Sequence, residues 1–174
     1  MNLDFTVAIP TYNGENRLPK VIERLQSQKS IEAINWEIIV VDNNSKDGTA
    51  KLIQTYQQQW EYRFPLRYFL ESQQGATFAR NRAIQEAKSE IIGFLDDDNL
   101  IAYDWIIEAY KFILSNSQVG ACASQIHGSF EVEPPQNIKP ILHYLAITER
   151  GEKPHLYHPR RQGFPPTAGL VVRR

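Results

Sequence analysis

Cysteine is nearly absent. Cys122 stands alone among 174 residues, so no intrachain disulfide is available, and one thiol with four scattered histidines makes no zinc cluster. Charge of one sign is also missing: 19 Lys and Arg against 20 Asp and Glu leave a formal charge of −1. A fold that grips nucleic acid through bulk electrostatics shows a clear basic excess, and none exists here. No apolar run approaches the ~18–20 residues of a membrane-spanning helix. The first ten residues, MNLDFTVAIP, carry neither a basic start nor a long apolar stretch, which argues against a secretory signal. These absences predict a soluble domain of a reducing compartment, with a cytoplasmic location. What is present fits that frame, since 42% hydrophobic and 11% aromatic residues describe a globular chain of single-domain length.

Strand-like and helix-like segments alternate. Phe5-Thr6-Val7-Ala8-Ile9 is β-rich and stopped by Pro10, with turn residues Thr11-Tyr12-Asn13-Gly14 behind it. Leu18, Val21, Ile22 and Leu25 fall on one face of a helix whose first turn tolerates Pro19. Trp36–Val41 is almost continuously apolar, as suits a strand covered on both faces of a parallel sheet. A helix over 47–60, a strand at 66–70 and a helix with a small-residue face (Ala79, Ala83, Ile84, Ala87) follow. After these come a strand at 91–95, a helix marked by Ile106, Ala109, Tyr110 and Ile113, and a strand at 119–126 that holds Cys122 in the core. The rhythm predicts an α/β fold, a mostly parallel sheet flanked by helices with right-handed crossovers. We divide the single domain 1–174 into a βα core (1–126), a proline-rich loop segment (127–166) with a short helix near Ile141–Ile147, and a terminal strand (167–174).

In such sheets ligands bind outside the carboxyl ends of the strands. Three predicted strands end in polar loops on that edge: Pro10–Glu15, Asp42–Ser45 and Asp96–Asn99. The Asp96-Asp97-Asp98 run is the most informative. Carboxylates ~6 Å apart at an effective dielectric of ~20 repel by roughly 2–3 kcal/mol per pair, and by less than about 1 kcal/mol in bulk water. A solvated turn is one solution; a divalent cation is the other, and oxygen donors suit Mg²⁺ or Mn²⁺. Mg²⁺ completes its shell with phosphates and water, which points to a phosphorylated ligand. Asp42 is suited either to capping the next turn or to accepting hydrogen bonds from a base or ribose, and Asn43 to either. Tyr12 is expected on an exposed rim where it can stack on a base. Arg80 is divided between a solvated helix face and a phosphate contact, whereas Arg17 and Arg82 are expected in solvent.

Taken in series, Val7-Ala8-Ile9-Pro10-Thr11-Tyr12-Asn13, Ile39–Thr49, Gly75 with Ala79-Arg80-Asn81, and Gly93-Phe94-Leu95-Asp96-Asp97-Asp98 resemble the family 2 glycosyltransferases. Pro166–Arg174 resembles the family's acceptor-side strand more weakly. The resemblance implies a GT-A fold binding a nucleotide-diphospho-sugar, with a UDP-sugar the favoured donor and a glycan or lipid-linked acceptor, at the inner face of a membrane. It implies that Pro10, Thr11, Tyr12 and Glu15 line the nucleoside pocket and that Asp42 or Asn43 meets the base. Arg80 would meet phosphate, Asp96 and Asp97 would hold the ribose and support the metal, and Asp98, with Asp96, would bind Mg²⁺ or Mn²⁺ at the diphosphate. Transfer with inversion needs a general base, which the resemblance places beyond Arg174; Glu131, Glu133, Glu149 and His143 do not occupy its place. The alternative is a nucleotide-sugar-binding module without catalysis. A dinucleotide-dependent oxidoreductase is excluded by the lack of Gly-x-Gly-x-x-Gly after the first strand. A nucleotidyltransferase would need a glycine-rich, basic first loop, which Pro10–Glu15 is not.

Overall fold

A computed structural model describes residues 3–130, 132–135, 137–138, 141, 144, 147, 151, 153–157, 160 and 164–174. The elements run β1 (Phe5–Thr11), α1 (Leu18–Gln26), β2 (Trp36–Asp42), α2 (Thr49–Gln58), β3 (Leu66–Leu70), α3 (Ala76–Glu86), β4 (Ile91–Phe94), α4 (Trp105–Ser115), β5 (Ala121–Ala123) and β6 (Leu170–Arg173). One sheet has the order β3-β2-β1-β4-β6-β5. β1 pairs in parallel with β2 and β4, and β2 with β3. β6 enters antiparallel between β4 and β5. The predicted α/β sheet is therefore present, mostly parallel, with one reversed strand that the alternation did not announce.

Period-two alternation in the central strands splits the core into two layers. Phe5, Val7 and Ile9 of β1 and Ile38 and Val40 of β2 face α1, α2 and α4 through Leu18, Val21, Ile22, Leu25, Ile53, Ile106 and Ile113. Ala8, Ile39, Val41, Ile92 and Phe94 face the other way, onto Ala79, Ala83 and Ala87 along α3. The small-residue face of α3 lets that helix lie close to the sheet, and every residue of β2 is buried. Gly93 is required by close approach. A Cβ there would sit 2.5 Å from the Trp105 ring and 2.8 Å from that of Phe5, which meet edge to face at 5.8 Å.

Several boundaries differ from expectation, for local reasons. β1 does not stop at Pro10 but runs to Thr11, pairing Pro10 with Val41 and Thr11 with Asp42. Proline is tolerated where its missing N–H leaves no ladder bond unmade. β5 is three residues long instead of eight, and as the sheet edge it leaves Cys122 only half buried, not in the core. The short helix expected near Ile141–Ile147 falls mostly outside the described residues, as do Glu131, His143 and Glu149; Glu133 is exposed. Buried Glu37, within the apolar run of β2, accepts from Thr6 Oγ1 (3.0 Å) and the Lys88 N–H (2.9 Å) and pairs with Arg67 (2.9 Å). A buried carboxylate needs such partners.

Candidate functional site

Parallel pairing brings the ends of β1, β2 and β4 to one edge, and the antiparallel β6 adds its own start there, so Thr11, Asp42, Leu95 and Thr167 gather on one rim. The first two loops are laced together. The Asn13 N–H donates to Ser45 Oγ (2.9 Å), the Lys46 N–H to Asn13 Oδ1 (2.8 Å) and the Gly14 N–H to Thr49 Oγ1 (2.9 Å). Glu15, expected in a nucleoside pocket, belongs to this seam, where its Oε2 accepts the Gly48 N–H at 3.0 Å. Pro10 lies within β1, and Tyr12 stands on the rim 44% exposed, as its position predicted.

Asp42 and Asn43 are both committed inside the protein. Asp42 is 1% exposed; its Oδ1 accepts the Ser45 N–H (2.8 Å) and its Oδ2 the Tyr68 hydroxyl (2.8 Å). Of the two roles open to it, the structure shows the cap. Burial, then the hydrogen bond to Asp42, pushes the Tyr68 phenol well above its usual range. Asn43 donates through Nδ2 to the carbonyls of Glu71 (3.2 Å) and Gln73 (2.7 Å) and accepts the Gly75 N–H (2.6 Å). It thus clamps the β3–α3 loop, at whose end Gly75 adopts φ 137°. An aspartate could not donate to those carbonyls. Asn43→Asp is expected to cost about 2–4 kcal/mol in urea unfolding, the penalty for two carbonyls left facing a carboxylate; wild-type stability would show that the loop is held elsewhere.

The acidic turn after β4 points its side chains in different directions. Asp97 turns inward and is 9% exposed. Arg17 grips it bidentately, Nε to Oδ1 at 2.7 Å and Nη2 to Oδ2 at 2.8 Å, and Thr11 Oγ1 adds a donor at 2.5 Å. Arg17 is exposed, as expected, but it also pairs with this buried carboxylate; the hydrogen bond to Asp97 raises its pKa against the opposing effect of burial. Arg82 is also paired, with Glu86 at 2.9 Å. Asp96 is half-buried, and Arg80 Nη2 reaches its Oδ1 at 3.2 Å and Thr167 Oγ1 at 3.1 Å. Burial raises the Asp96 pKa, opposed by Arg80 and reinforced by Asp98 and Asp97. Asp98 is exposed and accepts from Asn99 Nδ2 at 3.2 Å.

No cluster of three or more His, Cys, Asp or Glu side chains suited to a metal occurs among the described residues. Mg²⁺ needs only one or two protein carboxylates when phosphates and water complete the shell, and Asp96 and Asp98 supply two oxygen donors of the right hardness. Arg80 Nε is buried without a hydrogen-bond partner among the described residues, so the guanidinium beside Asp96 retains a donor for an anionic oxygen. The donor set fits a hard divalent cation with a phosphorylated ligand.

The mostly parallel sheet, with its acidic turn after β4 and the reversed β6 lying between β4 and β5, is the GT-A fold shared with the solved glycosyltransferases TarS and PcManGT. The sequence model of Glycosyl transferase family 2 matches residues 6–169, and the chain belongs to that family. It is 31% identical over 170 residues to the glycosyltransferase AglE of Haloferax volcanii, which covers 97% of this chain and 52% of AglE. It is 31% identical over 112 residues to TuaG of Bacillus subtilis, a putative teichuronic acid biosynthesis glycosyltransferase, covering 64% of this chain and 42% of TuaG. Residues 1–349 of Staphylococcus aureus TarS, solved in complex with UDP, superpose with TM-score 0.64 at 25% identity, over 78% of this chain and 39% of that one. The mannosyltransferase PcManGT of Pyrobaculum calidifontis, solved with GDP-Man and Mn²⁺, gives TM-score 0.64 at 26% identity over 82% and 39%. The chain spans about half the length of AglE and less of the others.

Proposed function

We propose that this chain carries the donor-binding portion of a metal-dependent, inverting glycosyltransferase that builds a bacterial polysaccharide or cell-surface glycan. The observation that carries the proposal is the convergence on one sheet edge of exposed Tyr12, half-buried Asp96, exposed Asp98 and the Arg80 guanidinium, whose Nε has no hydrogen-bond partner among the described residues. TarS with UDP and PcManGT with GDP-Man and Mn²⁺ support it by likeness of fold. Tyr12 offers a ring face to the base. Asp96 and Asp98 hold Mg²⁺ or Mn²⁺, and Arg80 donates to a diphosphate oxygen. Bound there, the cation supplies Lewis-acid neutralisation of the leaving nucleoside diphosphate. Arg80 Nη2 is held by both Asp96 Oδ1 and Thr167 Oγ1, which fixes that end of the guanidinium in advance. A UDP-sugar is the favoured donor and a glycan or lipid-linked molecule the acceptor, with the chain at the cytoplasmic face of the membrane; no helix among the described residues is long and apolar enough to cross it.

Titration calorimetry with UDP and GDP, each with Mn²⁺ and with EDTA, tests the proposal. Binding of one nucleotide that requires Mn²⁺ is expected. Absence of binding under every condition would overturn the donor site, whereas metal-dependent binding without transfer to any acceptor would leave a sugar-nucleotide-binding module.

A further inference from the structure

The resemblance to family 2 assigns Asp97 to the donor, yet the structure aims it away from the rim. Both of its carboxylate oxygens are taken, by a two-pronged guanidinium and by the Thr11 hydroxyl. The packing around this contact is tight. A Cβ on Gly14 would collide with Thr11 Oγ1 and come within 2.9 Å of Asp97 Oδ2, so only glycine admits the carboxylate here. Arg17 itself is anchored at the start of α1, whose Leu18, Val21, Ile22 and Leu25 are fully buried. Its Nη2 also donates to the Tyr12 carbonyl at 3.0 Å. One side chain thereby links the backbone of the rim tyrosine to the acidic turn. On that turn the Asp96 N–H donates to Asn99 Oδ1 (3.0 Å) and the Asn99 N–H to the Asp96 carbonyl (3.1 Å), which ties the flanking carboxylates to the orientation of Asp97 between them.

On the donor-site proposal above, we infer that Arg17 is a positioning residue: by holding Asp97 inward it aims Asp96 and Asp98 outward, and Asp97 touches no part of the donor. An exposed ion pair between flexible side chains contributes little. This one differs, because its acceptor is buried, its geometry is bidentate and a third donor completes it. Removal of Arg17 leaves an uncompensated buried carboxylate, whose escape toward water turns the whole Asp96–Asn99 segment. Arg17 acts through the turn and makes no contact with the reacting atoms.

The test uses Arg17→Met, Arg17→Lys, Asp97→Asn and the double variant Arg17→Met/Asp97→Asn, each read by calorimetry with UDP and Mn²⁺ and by amide hydrogen exchange. Asp97→Asn keeps an acceptor for Thr11 and discards the charge. Arg17→Met is expected to weaken UDP about tenfold or more through the stranded carboxylate, and the double variant to recover most of that loss because no buried charge remains. Arg17→Lys, a point charge without the fork, should fall between. Exchange at Asp96 and Asn99 should quicken about tenfold in Arg17→Met while the β1 and β2 amides stay protected, as local opening requires. The inference fails if Asp97→Asn alone loses UDP as severely as Arg17→Met and the double variant recovers nothing, which would make Asp97 a donor contact. It also fails if Arg17→Met binds and exchanges like the wild type. Should the wild type itself bind no nucleotide, the donor site falls, and the exchange rates alone decide whether Arg17 sets the turn.

Discussion

Ile39→Asp is expected to yield no soluble, cooperatively folded protein. Ile39 lies in β2, between β1 and β3, fully buried against Ala8, Ala79, Ala83 and Phe94. A carboxylate placed there is buried beside Glu37, and its register partner Arg67 is already engaged by Glu37 and Glu86, so it gains no free cation. An unpaired buried charge costs on the order of 5 kcal/mol, and a whole domain holds roughly 5–15 kcal/mol of stability. Ile39→Val, which removes one methyl group, should cost only about 1 kcal/mol and melt cooperatively. Circular dichroism melts of the two variants check the pair. A soluble, cooperative Ile39→Asp protein would contradict the position of β2 at the centre of a sheet covered on both faces.

Asp98→Ala is the second large effect, and of opposite kind. Its side chain is exposed and bonds only to its neighbour Asn99 among the described residues, so its loss should change stability by no more than about 0.5 kcal/mol. Metal-dependent UDP affinity should nevertheless fall about a hundredfold or more, roughly 2.7 kcal/mol of binding. The separation of the two numbers is the informative part, because a carboxylate that served only the turn would move stability and leave the nucleotide alone. Unchanged UDP affinity with Mn²⁺ present would remove Asp98 from the metal site.

Much of this was legible along the chain, for physical reasons. Period-two and 3.6-residue patterns record burial locally, so the apolar run Trp36–Val41 and the face Leu18–Leu25 point to their elements without knowledge of their neighbours. The polar loops after β1, β2 and β4 could be placed on one edge because parallel strands share a direction. Pairings across long separations leave no such trace. Arg17 and Asp97 lie 80 residues apart, and Arg80 and Thr167 lie 87 apart. Nothing beside Arg17 in the sequence distinguishes an arginine bound to a buried carboxylate from one in water. Only the acidic run itself held a clue, since three adjacent carboxylates repel unless the turn is solvated or one of them finds a cation. Asn43 was ambiguous because its amide suits a base or a backbone equally, and the strands it tethers had first to be placed. The reversal of β6 was hidden too, because an antiparallel partner strand has the same apolar pattern as a parallel one.

Paramagnetic broadening in the amide spectrum of the isotopically labelled protein tests most directly where a donor and its metal would sit. With UDP and substoichiometric Mn²⁺, the amides of Tyr12, Asp96, Asp98, Asn99 and Thr167 should vanish first, while those near Trp60 at the opposite end of the sheet persist. Broadening centred anywhere else, or none in the presence of UDP, would contradict a donor site on the carboxyl edge of β1 and β4.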